Sequence, residues 1–391
     1  MKYRTIERFR GNVFLALDQT IRRHRNNALS ILVFMEERTP FAKPRRVDIR
    51  DVAQIAGVSI STVSRVTNGK STVNPEMAER VWRAVRELNY QPDAQARALV
   101  SGRSRIIGLM VTEITNPFFP ELIHHFEQLA VRNGYEVLLA STPGDPAGIA
   151  VSVRRMLQRK VDGVAVMIFG REITVLHELA SHNVPLVVID GIPGTPNLDS
   201  VRVNYEEGIL QAVRHLVELG HKDIAFISGP LEQKSARLRR EAFERAIAAC
   251  QRRIAPSLMI ESDHTLEGGI AAMTALFALP QPPTAVLCSN DMTAIGVLHG
   301  MFESGKHVPA DLSVIGFDDV HIAQFMLPPL TTIRMSCEEI AQAAFSTLRQ
   351  RIEDPITSSA APAVRTTLIK RQTTAPPPGK TLRPRKTSAS K

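Results

Sequence analysis

Five side chains between residues 60 and 65 have the types needed to read the edges of DNA bases. They combine one cation with hydroxyl and small apolar groups, and none is a carboxylate: Ile60, Ser61, Thr62, Ser64 and Arg65. Arginine pairs with guanine in the major groove, and small apolar groups contact the thymine methyl. On the outer face of one helix, these residues would fit a major groove. An ordinary pair of surface helices is the alternative that the pattern leaves open.

Two short amphipathic helices joined by a tight turn would position that face. The apolar residues at helical spacing on the first helix are Val52, Ala53, Ile55 and Ala56. Gly57 permits a left-handed bend, Ser59 is placed to cap the second helix, and Val63 and Val66 return to the same core. Residues 48–68 therefore predict a helix-turn-helix.

A third helix should complete this head. Asn74 is a capping residue, Pro75 suits the first helical position and Glu76 favours the positive end of the helix dipole. We expect Val81, Val85 and Leu88 to close a three-helix core together with Trp82. The predicted DNA-binding domain spans residues 45–91.

The alanine-rich run that follows, residues 94–100, has helix propensity but little apolar surface. Isolated helices this short are marginally stable, so we expect it to fold only conditionally. Residues 92–104 are predicted to form this hinge helix and a linker.

From Ile106 onward, apolar strands alternate with helices in two series. The predicted strands are Ile106–Val111, Tyr135–Ala140, Gly163–Ile168, Leu186–Asp190, Ile224–Ile227, Ala285–Cys288 and Leu312–Phe317. Alternating units of this kind imply parallel sheets covered by helices. Two series predict two lobes over residues 105–369, with a cleft where the carboxyl ends of the strands face each other.

Charge divides the chain in the same way. The first 105 and the last 22 of the 391 residues each carry a net positive charge. Residues 106–369 carry a net negative charge, with 21 Lys and Arg against 29 Asp and Glu. A basic head on an acidic body fits a polyanion-binding module on a domain that need not touch the polyanion. Residues 370–391, rich in Pro, Ser, Thr and cations, are expected to be disordered.

Two features indicate the compartment. The three cysteines are far apart and lack ligand spacing, which favours a reducing compartment and argues against structural zinc. The apolar run Ala28–Met35 is too short to span a bilayer and lacks a cleavage site, so neither a signal peptide nor an anchor is expected. Residues 1–44 are an extra helix, a basic arm or the product of an upstream start assignment, with Met35 as the alternative initiator.

Catalytic and metal-binding motifs are not evident. Residues 300–306 resemble a phosphate loop, but His307 replaces the required Ser or Thr. His124 and His125 are adjacent, so they point to different sides of a helix. No GxSxG or HExxH sequence occurs. We therefore expect no enzyme activity, no cofactor and no metal.

Short motifs in order along residues 47–369 resemble the LacI/GalR family of transcription regulators. They include Asp51-Val52-Ala53, Ala56-Gly57-Val58-Ser59, Thr62-Val63-Ser64-Arg65-Val66, Leu88-Asn89-Tyr90-Gln91-Pro92, Asn116-Pro117-Phe118-Phe119, Asn290-Asp291, Gly316-Phe317-Asp318-Asp319 and Pro328-Pro329-Leu330-Thr331-Thr332. The resemblance implies a helix-turn-helix head with a hinge helix, then a two-lobed α/β domain like periplasmic binding proteins.

The resemblance also implies roles for residues in the head. Ile60, Ser61 and Arg65 would occupy the base-reading positions, with Ser59, Thr62 and Asn68 near phosphates. Leu99 matches the leucine that family members wedge into a minor-groove step, where unstacking on bent DNA exposes more contact surface. The alternative for Leu99 is packing within its own domain.

In the cleft, the resemblance implies a site for a small polar effector, a sugar, sugar acid or similar molecule. Residues at effector-contacting positions are Asp190, Ser235, Arg239, Asn290 and Asp318, with Phe118 and Phe119 as an apolar face for a ring. An arginine flanked by carboxylates can clamp vicinal hydroxyls or an anionic group. Met335 is the eighth residue expected at the effector. Met335 and Cys337 depart from the polar and aromatic residues common in sugar-responsive relatives, which leaves the identity of the effector open. A structural ion pair is the alternative for Arg239 or Asp318.

These expectations combine into a cytoplasmic homodimeric repressor that binds a pseudopalindromic operator under effector control. Whether the effector releases or strengthens the grip is open. A tail without apolar heptads makes a tetramer unexpected. Two other classes compete: a solute-binding protein for a transporter, which would need an export signal and no head, and an enzyme acting on sugars, which would need a catalytic set.

Overall fold

The computed structural model describes residues 47–69, 73–91, 98, 102–142, 146–167, 178–190, 198–354 and 363–379. The chain divides into two compact units, residues 1–93 and residues 94–391. Residues 1–44, Leu99 and most of the predicted hinge helix lie outside the described residues.

The first unit contains the predicted helix-turn-helix and a third helix. Its helices are α1 (Ile49–Ala56), α2 (Ile60–Thr67) and α3 (Pro75–Glu87). The Asp48 side chain accepts hydrogen bonds from the first turn of α1, and Gly57 ends that helix with φ 60°. Ser59 caps α2 and Asn74 caps α3. Side-chain oxygens thus satisfy amide groups that a helix start leaves unpaired, and the Ser59 and Asn74 caps are those that the sequence predicts.

A small apolar core joins the three helices. Its buried members are Val52, Ala53, Ala56, Val63, Val66, Val81 and Ala84, with Val85 and Leu88 partly buried against them. Two expectations about this core are wrong. Ile55 is 48% exposed and Trp82 is 42% exposed, because Ala53 and Ala56 on α1, and Val81 and Ala84 on α3, already fill the contact between helices.

The second unit alternates strands and helices. In chain order these are β1 (Ile106–Val111), α4 (Phe118–Arg132), β2 (Glu136–Ser141), α5 (Pro146–Gln158), β3 (Gly163–Met167), β4 (Leu186–Ile189), β5 (Leu198–Val201), β6 (Val203–Asn204), α6 (Tyr205–Leu219), β7 (Ile224–Ser228), α7 (Lys234–Ala249), β8 (Met259–Glu261), α8 (Leu266–Phe277), β9 (Ala285–Cys288), α9 (Asp291–Glu303), β10 (Ser313–Asp318), β11 (Thr331–Met335), α10 (Cys337–Glu353) and β12 (Val364–Ile369). Short 3₁₀ turns cover Pro256–Leu258 and His321–Phe325.

The strands form two sheets, one for each predicted lobe. The amino-terminal lobe has the order β2-β1-β3-β4-β5, and every neighbouring pair in it is parallel. The carboxy-terminal lobe has the order β6-β12-β11-β10-β9-β7-β8, with β11 and β12 as its antiparallel pair. Strands β3, β4, β7, β9 and β10 are buried along their length, which explains their continuous apolar runs.

The chain crosses between the lobes more than once. It passes to the second lobe after β5 and returns at Met335–Cys337, so that α10 packs on the first sheet. A Cβ placed on Gly163 of β3 would lie 2.8 Å from the Leu348 side chain and 3.1 Å from that of Ile352, both on α10. Crossing segments therefore join the two lobes, and the last helix packs against the first sheet.

The expectation of disorder from residue 370 is wrong for residues 370–379. Thr373 is completely buried, its carbonyl accepts from the Val314 amide at 2.8 Å, and the Gln372 amide donates to the Pro329 carbonyl at 2.9 Å. Composition predicted disorder because Pro, Thr and Lys supply little apolar surface. The segment is held instead by backbone partners on the second lobe, which composition does not reveal.

No helix among the described residues has both the length and the apolar character that crossing a membrane requires.

Candidate functional site

The outer face of α2 presents the predicted DNA-reading side chains together. Ser59, Ile60, Ser61, Arg65 and Asn68 are exposed, and Ile60 keeps 46% of its surface in solvent. Thr62 is half-buried. The structure thus brings these residues onto one surface while Val63 and Val66 point into the core.

Hydrogen bonds organise the first turn of that helix. The Ser59 hydroxyl accepts from the Thr62 amide at 3.1 Å and lies 2.8 Å from both the Ser61 and Thr62 hydroxyls. Near the other end, the Asn68 amide donates to the Ser64 hydroxyl at 3.3 Å. A row of hydroxyl and amide groups held in this way can donate to phosphate oxygens or base edges.

Arg80, which the sequence did not single out, fixes the turn between α1 and α2. Its Nη2 donates to the carbonyls of Ala56 and Gly57, the latter at 3.0 Å. A Cβ on Gly57 would lie 2.6 Å from the same nitrogen. The arginine on α3 therefore occupies the space that glycine leaves, and it satisfies carbonyls at the end of α1.

In the second unit, both lobes contribute to a small cavity of about 70 Å³ in the cleft. It contains seven of the eight residues predicted to contact an effector. Its walls are Thr112, Glu113, Asn116, Phe118, Phe119 and Met167 from the first lobe, Gln233, Ser235, Arg239, Asp263, His264, Asn290 and Asp318 from the second, and Met335 at the crossing. Such a mixture of aromatic and convergent polar groups is typical of small-molecule sites.

Arg239 on α7 is the central charged group. Its Nη2 lies 3.6 Å from Asp318 Oδ1, and its Nη1 donates to the Ser289 carbonyl. The guanidinium carbon lies 4.1 Å from the Phe317 ring centroid and 5.0 Å from that of Tyr205. The Arg239 Nε has no hydrogen-bond partner among the described residues although it is buried. A buried donor without a partner is costly, and a ligand acceptor in the cavity would relieve that cost.

Asp318 faces this arginine from the end of β10. Burial raises the pKa of its carboxyl to about 7, although the Arg239 charge acts in the opposite direction. Asp318 and Asp319 both have positive φ, 112° and 59°. Conformations of this kind persist where neighbouring groups hold them.

Asp190 is brought near Arg239 through a third residue. The Tyr205 hydroxyl donates to Asp190 Oδ2 at 2.7 Å, and the Tyr205 ring lies against the arginine. Burial raises the pKa of Asp190, and the tyrosine hydrogen bond lowers it. Asp190 itself is not among the described residues that line the cavity. Tyr205, at the first position of α6 just after the lobe crossing, is a residue that sequence reasoning missed.

His264 is another missed residue of the cavity. Its Nε2 lies 2.8 Å from the Ser289 hydroxyl, and its ring covers Gly229, where a Cβ would lie 2.0 Å away. Burial, together with the Arg239 charge, lowers the pKa of His264 to about 3. The imidazole is therefore neutral at physiological pH. Its position three residues after β8, at the carboxyl edge of the sheet, was the available signal.

The remaining predicted effector residues also bond to, or pack against, other parts of the second unit. Asn290 caps α9 through Thr293 at 2.9 Å and donates to the His264 carbonyl at 2.9 Å. The Phe118 and Phe119 rings pack edge to face, 5.5 Å apart, and both are 3% exposed. Ser235 lies buried on α7. Phe118, Asp318 and Met335 also line a neighbouring cavity of about 290 Å³ at the crossing segment.

Among the described residues, no three His, Cys, Asp or Glu side chains are grouped so as to hold a metal ion.

A helix-turn-helix head and a two-lobed α/β body with a polar cleft together define a class of ligand-responsive transcription regulators. Models of two families match: "Bacterial regulatory proteins, lacI family" over residues 48–93 and "Periplasmic binding protein-like domain" over residues 213–374. The chain belongs to the lacI family and is a transcriptional repressor of the LacI type. The resemblance read from the sequence is confirmed.

Relatives and solved structures agree with this assignment. The chain is 38% identical over 307 residues to the transcriptional repressor PurR of Histophilus somni, covering 78% of this chain and 92% of PurR. It is 36% identical to the ribose operon repressor of Haemophilus influenzae, with the same coverage. The Lac repressor dimer bound to operator and the anti-inducer ONPF matches with TM-score 0.77 and 31% identity, over 85% of this chain and all of that one. A complex of the regulator CelR with cellobiose matches with TM-score 0.64 and 28% identity, over 84% and 100%. These relatives are regulators, so the class of sugar-acting enzymes is excluded.

Proposed function

We propose that this protein is a cytoplasmic homodimer that binds a pseudopalindromic operator and changes its grip when a small molecule, a sugar or sugar derivative, enters the cleft. The observation that carries this proposal is the exposed face of α2, where Ile60 and Arg65 stand among hydroxyl groups without any carboxylate. A reducing cytoplasm suits its cysteines, which are free.

On the operator, Arg65 contacts guanine, Ile60 contacts a thymine methyl and Ser61 reads a base edge. Ser59, Thr62 and Asn68 contact phosphates, which set the register of the helix without reading sequence. One such helix reads only a few base pairs. Two heads related by a twofold axis double the contacts and make the spacing of the half-sites a geometric constraint.

Exposed apolar side chains on the second lobe support the homodimer. Phe302, Phe325 and Leu327 are 79%, 65% and 92% exposed, and Ile322 is 48% exposed. Ile322, Phe325 and Leu327 lie within six residues of chain, and exposed apolar groups of this kind are typical of protein interfaces. The 3₁₀ turn His321–Phe325 and the loop after it would form part of a self-complementary contact.

The effector acts by closing the cleft, which changes how the amino-terminal lobes of the two subunits meet. The cleft cavity of about 70 Å³ is smaller than typical ligand pockets of about 300–1,000 Å³, so a sugar would need the neighbouring cavity of about 290 Å³ as well or a wider separation of the lobes. Arg239 and Asp318 clamp its hydroxyls, and Phe118 or Phe119 covers its apolar face. A coupling of about 1–3 kcal/mol between this site and the head would shift operator occupancy by about 5- to 150-fold.

The link between body and head is the predicted hinge helix, which folds as a pair on bent DNA and inserts Leu99 into a minor-groove step. Leu99→Ala should weaken specific binding and reduce bending of the operator, measured by circular-permutation gel shift. Equal bending of the operator by the variant and the wild-type protein would contradict the insertion of Leu99 into the minor groove.

The overall test is footprinting on the DNA upstream of the protein's own gene, repeated with a panel of pentoses, hexoses and disaccharides. We expect two protected half-sites related by a dyad and one class of sugar that changes the protection. A footprint without dyad symmetry would contradict the dimer, and protection that no sugar changes would contradict the proposed effector class.

A further inference from the structure

Residues 371–375 run beside β10 and the start of β11, and we call this segment the strap. The Thr373 hydroxyl accepts from the Thr331 amide at 2.8 Å and donates to the Val314 carbonyl at 2.6 Å. The Arg371 amide donates to the Thr331 hydroxyl at 3.0 Å, and the Ala375 amide donates to the Ser313 hydroxyl at 3.0 Å. The strap thus bonds to both strands that enclose the loop after β10.

That loop carries Asp318 in a conformation that side chains rarely adopt. Two consecutive non-glycine residues, Asp318 and Asp319, have positive φ. A backbone of this kind reverts to ordinary conformations unless surrounding contacts hold it. One holder is Asp291, which accepts from the Val320 amide at 2.9 Å and from the Thr332 hydroxyl at 2.5 Å. Asp291 thus bonds the backbone at Val320, one residue after Asp319, and the Asp319 carboxylate has other partners.

Arg371 of the strap holds Asp319. Its Nη2 donates to Asp319 Oδ1 at 2.6 Å and its Nη1 donates to the Leu330 carbonyl at 2.8 Å. Arg334 donates to the other carboxylate oxygen at 2.7 Å. The two arginines differ in burial: the Arg371 side chain is 17% exposed and that of Arg334 is 53% exposed. Water competes less for the buried pair, so the Arg371 contact is the stronger constraint.

We propose that the strap is a positioning element of the cleft, in which Arg371 holds Asp319 and thereby aims the Asp318 carboxylate at Arg239. Arg371 does not line the 70 Å³ cavity. It lines the neighbouring cavity of about 290 Å³, next to Asp318 and Asp319, so it reaches the effector site through Asp319. The inference rests on the proposed function to the extent that it treats this cleft as the effector site. It assigns to the end of the chain a part in effector recognition.

The test is hydrogen exchange by mass spectrometry on the full chain, without DNA or sugar. Arg371→Ala should speed exchange of the peptide over residues 316–322 about tenfold, while peptides from α9 and from the head stay unchanged. Arg371→Lys keeps the charge near Asp319 and should restore part of the protection. Arg334→Ala is the matched control, because it removes the exposed partner of the same carboxylate and should change exchange little.

Two truncations provide an independent measurement. A chain ending at Gly379 keeps the strap and should exchange like the full chain, whereas one ending at Lys370 should lose protection in the loop. If the shorter chain fails to fold, the point variants still decide. The proposal would be overturned if the loop peptide of Arg371→Ala exchanged at the wild-type rate. It would also be overturned if Arg334→Ala accelerated exchange of that peptide as much as Arg371→Ala does. Neither measurement uses operator DNA or effector, so a failure of this proposal can be distinguished from a failure of the proposed function.

Discussion

The Arg239 guanidinium and the Asp318 carboxylate meet 3.6 Å apart, and each side chain is 5% exposed. The arginine comes from the first turns of α7 and the aspartate from the end of β10, and both line the cleft cavity. A buried ion pair whose Nε–H has no partner in the described parts of the chain is a poor purely structural element, because part of its hydrogen-bonding capacity is unused. It is better suited to a ligand that completes it.

Arg239→Ala should abolish the rise in melting temperature that a binding sugar gives the wild-type protein. Charge-assisted hydrogen bonds contribute about 1.5–3 kcal/mol, which corresponds to a Kd raised by roughly 10- to 150-fold. Arg245→Ala on the same helix is the control, since its ion pairs with Glu206 and Glu241 are half-exposed. A thermal shift that survives in Arg239→Ala would move the effector site elsewhere.

Effector binding should strengthen as the pH rises. Burial raises the pKa of Asp318 to about 7, so its carboxyl is mostly protonated below that pH and mostly a carboxylate above it. A carboxylate accepts more hydroxyl hydrogen bonds, and the change from about pH 6 to about pH 8 should raise affinity about tenfold. His264 stays neutral over this range because its pKa is about 3. Titration calorimetry should show the dependence in wild type and lose it in Asp318→Asn; a dependence kept by the variant would assign it to another group.

Arg65→Ala should remove sequence preference from DNA binding. A good bidentate contact to a base discriminates by about 1–3 kcal/mol, so the advantage of operator over scrambled DNA should fall by roughly 5- to 150-fold. Fluorescence anisotropy on both DNAs measures this ratio. Arg83→Ala on α3 is the control, because that side chain is 70% exposed and pairs only loosely with Glu79 at 3.9 Å. An unchanged ratio in Arg65→Ala would contradict the role assigned to α2.

Gly296→Ala should destabilise the second unit. A Cβ there would lie 2.0 Å from the Leu266 carbonyl oxygen, a backbone atom that cannot move aside where α8 and α9 pack closely. Overpacking of this kind costs about 1–3 kcal/mol, measurable as a lower urea midpoint. Gly300→Ala on the same helix meets only the end of the Met273 side chain, at 2.5 Å, and should cost less. Equal midpoints for the two variants would contradict the close helix contact.

Local chemistry was enough to predict much of the head and the sheets. Gly57, Ser59 and Asn74 each act on backbone groups within four residues, and buried parallel strands are largely apolar, so both signals survive in the linear sequence. The strands Ile106–Val111 and Ala285–Cys288 have the predicted bounds. The family resemblance predicts Arg239 and Asp318 in the cleft, and both line the cavity there.

Features that depend on residues far apart in the chain were decided only by the tertiary structure. Ile55 and Trp82 were expected inside because they are apolar, but burial is decided by which helix faces which, and smaller residues fill those contacts. Tyr205 joins Asp190 to Arg239, and His264 enters the cavity, through folding that brings separate strand ends together. The strap was expected to be disordered because its own residues bury little. It is ordered because Val314, Thr331 and Asp319, about 40 to 60 positions earlier in the chain, supply its hydrogen-bond partners.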